Sequence, residues 1–281
     1  MNKYKKSIIV VCLLVLPAYM SAKSEYEVAF KVNHSISSTN KQVSYFAPAF
    51  FWIYKQDKVL LKTGAEAAFN YHIFDILGNQ DIIEKYGNDT KLNYRFSKQF
   101  GAGVSGSLSG GRQSFFQWSG GFSLDIDPVR EVSINPSLKF GEKKFRVKNA
   151  VDKTNWSNMS IGVPVSIDLN DQWSFNVNYL NYQYTISEPG YISSSESINE
   201  FGVGPGFYLP SRLYTELLLN LGFAKSSNNY IGVGLLGMVY IVKQVRLLAL
   251  INYEKTYNIR KSLFGKGTSL FYYTLGIKYR F

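Results

Sequence analysis

The feature that most constrains this chain is an alternation of apolar and polar residues with period two. It returns, segment after segment, from residue 24 to the end. In the last segment, 268–281, Phe271, Tyr273, Leu275, Ile277, Tyr279 and Phe281 share one side. Thr268, Leu270, Tyr272, Thr274, Gly276, Lys278 and Arg280 share the other. Successive side chains of an extended strand point to opposite faces, so this spacing predicts a strand lying between two different environments. The same sorting sets Leu92, Tyr94 and Phe96 against Lys91, Asn93 and Arg95. It also sets Ile161, Val163, Val165 and Ile167 against Ser160, Gly162, Ser166 and Asp168. Three segments, 42–54, 58–69 and 230–242, read as strands whose facing stays open.

The connections alternate as well. Six are tight, around Gln56-Asp57, Lys98-Gln99, Asp127–Arg130, Asn170–Gln172, Pro210-Ser211 and Lys243-Gln244. Between them lie seven polar or Gly/Ser-rich connections, at 34–41, 70–90, 109–114, 142–155, 186–197, 225–229 and 255–267. Short turns at one end and longer loops at the other are the habit of outer-membrane barrels. The expected fold is therefore all-β: a transmembrane antiparallel up-and-down β-barrel of fourteen strands. Twelve is the alternative, because 91–109 yields two short strands closely joined. An even number places both termini at the short-turn end, the periplasmic side.

Residues 1–22 read as a secretory signal peptide. Lys3, Lys5 and Lys6 precede an apolar run from Ile8 to Leu16, and Ser21-Ala22 supply small residues for cleavage. The barrel domain is then 23–281. The one Cys of the chain, Cys12, lies in the apolar run, so neither a disulfide framework nor a thiolate zinc site is available. Two His argue against a multi-His metal centre. Charged residues are only 18%, which excludes a disordered polar chain.

A soluble β-sandwich also alternates, but it seldom exceeds nine strands per domain. Here the polar faces are rich in Gly, Ser and Asn with scattered charge, as a wet lumen would be. The apolar faces end in Tyr, Trp and Phe, where interfacial girdles belong. The close of the chain, Thr274-Leu-Gly276-Ile-Lys-Tyr279-Arg-Phe281, resembles the signal by which the barrel-insertion machinery recognises its substrates. Thr274, Gly276, Tyr279 and Phe281 would carry it.

Laid out in fourteen strands, the chain resembles the OmpG family of monomeric porins. The resemblance spans 24–281 and rests on strand order and spacing. Its local echoes are 115–140 (FFQWSGGFSLDIDPVREVSINPSLKF), 158–180 (NMSIGVPVSIDLNDQWSFNVNYL) and 271–281 (FYYTLGIKYRF). It implies a single-chain open channel for small hydrophilic solutes. The family's mobile gating loop corresponds here to only Lys225–Asn229, and no His lies in the following two strands, so pH gating is not carried over. The longest loop expected is 70–90, which packs over the rim or folds inward.

The expected lumen charges are Lys31, Lys91, Arg95, Lys139, Arg246, Lys278 and Arg280, with Asp125, Asp168, Glu200 and Glu216 as the main opposing acids. Glu27 and Glu254 fall on the same faces. Rings of fixed charge set ion preference, although cross-lumen pairing can also merely stiffen a barrel. The small excess of cations over acids on these faces predicts a weak preference for anions. Loop cations Lys143, Lys144, Arg146, Lys148, Arg260, Lys261 and Lys266 are candidates for lipopolysaccharide phosphates, against a solvated loop. His34 and His72 reproduce no strand-borne Ser–His pair, so no catalytic residue is expected, and no metal or cofactor. Dispersed charge argues against nucleic acid as a partner. Three readings compete with the diffusion channel: a substrate-selective oligosaccharide porin, a non-conducting structural or adhesion barrel, and a lipid-modifying barrel. Leu218, Leu248, Leu250 and Tyr272, on inferred inner faces, are the residues that would fill a lumen.

Overall fold

The computed structural model describes residues 24–37, 42–74, 80–111, 115–148, 152–191, 193–210, 212–225, 229–257 and 269–281. Every regular element among them is a strand. These are β1 (Ser24–Ser37), β2 (Gln42–Gln56), β3 (Val59–Phe74), β4 (Gln80–Arg95), β5 (Phe100–Gly111), β6 (Phe115–Val129), β7 (Val132–Ile134) and β8 (Ser137–Phe145). They continue with β9 (Thr154–Asp168), β10 (Trp173–Ser187), β11 (Ser194–Leu209), β12 (Leu213–Ala224), β13 (Asn229–Val242), β14 (Val245–Tyr257) and β15 (Ser269–Arg280).

Each strand pairs antiparallel with its neighbours in sequence, and β15 pairs with β1, so the sheet closes on itself. β7 and β8 are two halves of one stave. Ser133 pairs with Ser166 and Ser137 with Gly162, in one unbroken register across Asn135-Pro136. The barrel thus has fourteen staves and no free edge, the condition under which a sheet can cross hydrocarbon. The alternative of twelve is set aside.

Prolines explain where the ladders lapse. Pro136 separates β7 from β8. Pro205 falls where β11 and β12 lose pairing between Val203↔Leu219 and Gly206↔Glu216. Pro48 falls in the corresponding gap between β2 and β3. Proline has no N–H to give to a ladder. None of these gaps shifts the register. The register does shift between Ile126 and Val129 beside β7, between Tyr240 and Val242 beside β14, and in β3, where Asn70 takes φ 60° and the pairing with β4 slips between Ala68 and Tyr71. The extra residue returns Tyr71 and Ile73 to the inner face.

Five of the six tight turns lie where the sequence places them, and the sixth includes Ser211, which lies outside the described residues. The β2–β3 hairpin, for example, turns through Asp57 at φ 44°, a left-handed conformation that Asp tolerates. The connection at 70–90 differs from expectation. β3 runs on to Phe74 and β4 starts at Gln80, so most of that segment is a continuing hairpin and not a loop. Strands 4 and 5 are correspondingly 16 and 12 residues long.

The outer wall is a band of exposed Phe, Leu, Ile and Val, among them Phe30, Val104, Phe122, Ile161, Leu219, Val233 and Ile277. Aromatic contacts bound it at both ends. Near the short turns, Tyr26, Tyr279 and Phe281 stack, as do Phe96 and Phe100, and Trp173 meets Phe207. At the other end Phe46, Phe69 and Tyr86 form a row, and Trp118 meets Phe140. An outward apolar band between aromatic girdles is the surface a bilayer covers.

The candidate channel lumen

Residues paired directly across a ladder share a face, so one inner residue fixes the face of the next. Starting at Glu27, the register runs Phe51, Gly64, Asp89, Ser107, Ser119, Gly141, Asn158, Tyr184 and Glu196. In the other direction Glu27 pairs with Arg280. By this alternation Lys31, Lys91, Arg95, Asp125, Lys139, Asp168, Glu200, Glu216, Arg246, Lys278 and Arg280 all lie on the inner face. The three segments of open facing resolve too: Ala47, Ala49, Lys62, Glu66, Leu236 and Met238 point inward. Of the C-terminal motif, Thr274 and Gly276 line the lumen, while Tyr279 and Phe281 belong to the outer girdle.

A ring of fourteen strands spaced about 4.8 Å apart and tilted about 40° has a backbone radius of roughly 14 Å. Eight strands are the size that side chains can just fill, so this interior is too wide for opposite walls to pack together. The buried apolar residues agree, because among the described residues they cluster in two local patches. One patch is Ala29, Ala49 and Phe51. The other is Ile73, Ile83, Phe115, Phe145 and Val147.

The inner charges are sorted by stave. Among the described residues, the inner faces of β9 to β13 carry Asp168, Glu196, Glu200 and Glu216 and no Lys or Arg. The cations concentrate on β14, β15 and β1 to β4. In a ring of fourteen, β1 stands opposite β9 and β3 opposite β11. A basic wall therefore faces an acidic wall across the lumen.

The basic wall is organised around Glu27, whose carboxylate is almost fully buried. Its oxygens lie 2.7 Å from Lys62 Nζ, 3.1 Å from an Arg280 terminal nitrogen and 3.8 Å from Lys278 Nζ. Glu25 lies 3.4 Å from both Lys55 and Arg280. Lys62 also sits 4.1 Å from the centre of the Phe51 ring. Lower on the wall, Arg95 donates to Asp127 at 2.7 Å and to the Lys98 carbonyl at 2.9 Å, which pins the 96–99 turn. On the acidic side the Tyr230 hydroxyl donates to Glu200, and Tyr214 to Glu216 at 2.9 Å. Asn252 donates to Glu254 at 2.8 Å and to the Tyr272 hydroxyl at 2.6 Å. Leu218, Leu236, Leu248 and Leu250 form an apolar strip on β12 to β14, opposite Gly234, Glu216, Met238 or Gly276 in register. They are half-buried against one wall.

Lys143 departs from its expected place in an outer loop facing lipopolysaccharide or solvent. It lies on the inner face of β8, with Nζ 4.8 Å from the Phe145 ring centre, 5.2 Å from Tyr71 and 5.6 Å from Phe115. The apolar patch at the long-loop mouth therefore contains a cation held over three rings, a contact of about 0.5–2 kcal/mol per ring when desolvated. Lys144 faces outward beside Glu142 at 3.1 Å. Arg260, Lys261 and Lys266, like the signal segment 1–22, lie outside the described residues. On the outer wall His34 does pair with a serine, Ser44, its register partner on β2, and its ring lies 5.2 Å from Tyr273. Among the described residues no carboxylate hydrogen-bonds His34, so the orienting group of a triad is missing.

Neither a protein-family model nor a curated protein sequence matches the chain. Solved structures do. The monoaromatic hydrocarbon channel CymD superposes with a TM-score of 0.64 at 9% identity, over 93% of this chain and 89% of that one. A FadL homologue of Pseudomonas aeruginosa gives 0.57 at 8% identity, over 91% and 89%. The toluene transporter TodX of P. putida gives 0.54 at 8% identity, over 94% and 91%. The fold is that of outer-membrane β-barrel channels. At such identities the likeness is one of architecture alone, and the expected membership of the OmpG family specifically is not supported.

Proposed function

We propose that this protein is a passive diffusion channel of the bacterial outer membrane for small hydrophilic solutes such as sugars and ions. One observation carries the reading: a closed fourteen-stave ring whose outer wall is apolar and whose inner wall bears charge and amide groups on nearly every stave. A water-filled path of this kind spares a polar solute the cost of entering hydrocarbon, and it needs no catalytic step. In the same reading residues 1–22 direct export, both termini face the periplasm, and the barrel works as a monomer inserted by the assembly machinery. The outward cations Lys144 and Arg146 near the long-loop end would meet lipopolysaccharide phosphates.

The test is single-channel recording from the refolded mature chain in a planar bilayer under a salt gradient. Unitary steps with a reversal potential favouring anions support the reading. Silence from a folded barrel overturns it. A second reading is favoured by the Leu218–Leu250 strip and by the neighbours named as hydrocarbon channels: an apolar solute moves along that strip. Uptake of toluene into proteoliposomes without ionic steps would select it.

A further inference from the structure

We propose that the basic wall is a binding site for solutes bearing two or more carboxylate or phosphate groups, centred on Arg246, Lys278 and Lys31. The inference deepens the channel reading and rests on it for the route of access. Arg246 and Lys278 are direct register partners on β14 and β15. Like charges placed opposite one another across a ladder repel and destabilise the sheet unless an anion lies between them. Lys278 is also within electrostatic reach of Lys31 and Lys62.

The acids present offset this group only in part, because Glu27 is shared among three cations. Glu27 is engaged by Lys62 and Arg280, and Lys278 reaches it only at 3.8 Å. Arg246 rests on the Tyr240 ring, 4.8 Å away, a contact that leaves the guanidinium edge and its hydrogens available. Lys31 lies with its stem across Gly276, where an added Cβ would come within 3.4 Å of Lys31 Cγ. That glycine gives the lysine its path along the wall toward Lys278. The Nε of Arg280 is buried without a hydrogen-bond partner. Lys62, Lys278 and Arg280 keep about a third of their surface in the lumen, at 33%, 32% and 29%.

The site therefore offers several donors on four staves to one solute. Charge-assisted hydrogen bonds to carboxylate and phosphate are the strong class of such contacts. A neutral sugar gains none of this advantage.

Two readouts test the proposal. The first needs no conduction: thermal unfolding of the refolded barrel in detergent, followed by its heat-modifiable mobility. Inorganic tripolyphosphate and a trimer of galacturonic acid are the anionic probes, and maltotriose is the neutral control. Both anions are expected to raise the unfolding temperature, and maltotriose to leave it in place. The gain should be lost in Arg246→Gln and in Lys278→Gln but kept in Lys98→Gln, which removes a cation from a turn. The second readout is block of ionic current, where the anions should act at concentrations about tenfold below maltotriose, and the two variants should erase that gap. If one variant fails to fold, Lys31→Gln reads the same wall. Equal effects of the neutral sugar, or an undiminished shift in the Arg246 and Lys278 variants, overturn the site. A shift by only one of the two anions narrows the ligand to that group. Silence in the bilayer with the thermal shift intact overturns the channel and leaves the site standing.

Discussion

Glu27 and Arg280 stand 253 residues apart in the chain and meet at 3.1 Å, as register partners in the ladder that closes the barrel. The closing seam thus carries a buried carboxylate with three cations around it. Replacing Glu27 by Gln leaves Lys62, Lys278 and Arg280 without their shared counter-charge. We expect a loss of about 1–3 kcal/mol, less than for a fully buried pair because the cations keep contact with water. Urea unfolding checks it. The same variant should move the reversal potential further toward anions.

The girdle at the seam gives a second prediction. Phe281 exchanges both backbone hydrogen bonds with Tyr26, at 2.8 and 2.9 Å, and stacks on Tyr26 and Tyr279. Phe281→Ala should cost about 0.5–1.5 kcal/mol per lost ring contact and slow assembly of the folded barrel in cells. The ratio of heat-modifiable to unfolded protein reports both. An unchanged ratio would remove Phe281 from the assembly signal.

Facing is testable residue by residue. Lys139→Cys and Lys278→Cys should react quickly with a charged, water-soluble thiol reagent in proteoliposomes. Leu138→Cys and Ile277→Cys, one position away, should be protected by lipid. The opposite order would invert the barrel's faces.

Two glycines separate close approach from mere absence of a side chain. A Cβ on Gly204 would overlap the Leu217 carbonyl oxygen, whereas one on Gly237 finds only the Ala249 oxygen at 4.0 Å. Gly204→Ala should destabilise by about 1–3 kcal/mol. Gly237→Ala should stay within about 0.5 kcal/mol of the parent. Thermal unfolding of the two variants side by side decides it.

Much of this architecture is legible in the sequence because a bilayer enforces strict sorting. Where a strand lies between lipid and water, as in 268–281, apolar and polar residues cannot exchange faces. Legibility fails for two physical reasons. In 42–54 and 230–242 the inner face carries Ala47, Ala49, Leu236 and Met238, so both faces look apolar. In 80–90 the strand rises past the apolar band, and outward residues such as Glu84 and Asn88 are polar. Alternation then disappears although the strand continues, and the segment reads as a loop. The inward placement of the charged residues follows from the same sorting as the faces. Lys62 was hidden by the open phase of its strand, and Lys143 by an apparent loop that is part of β8. The grouping of cations against acids is a property of stave order round the ring, which no single segment displays.

The seam between β1 and β15 also sets the order of events during biogenesis. Its contacts join the first and last described strands, the most non-local pairing this topology contains, and such contacts form late. A chain lacking its last strand is an open sheet with two unpaired edges that hydrocarbon cannot solvate. Closure of the barrel therefore waits on the last strand, and a chain truncated before it is expected to keep two edges that a bilayer cannot accept.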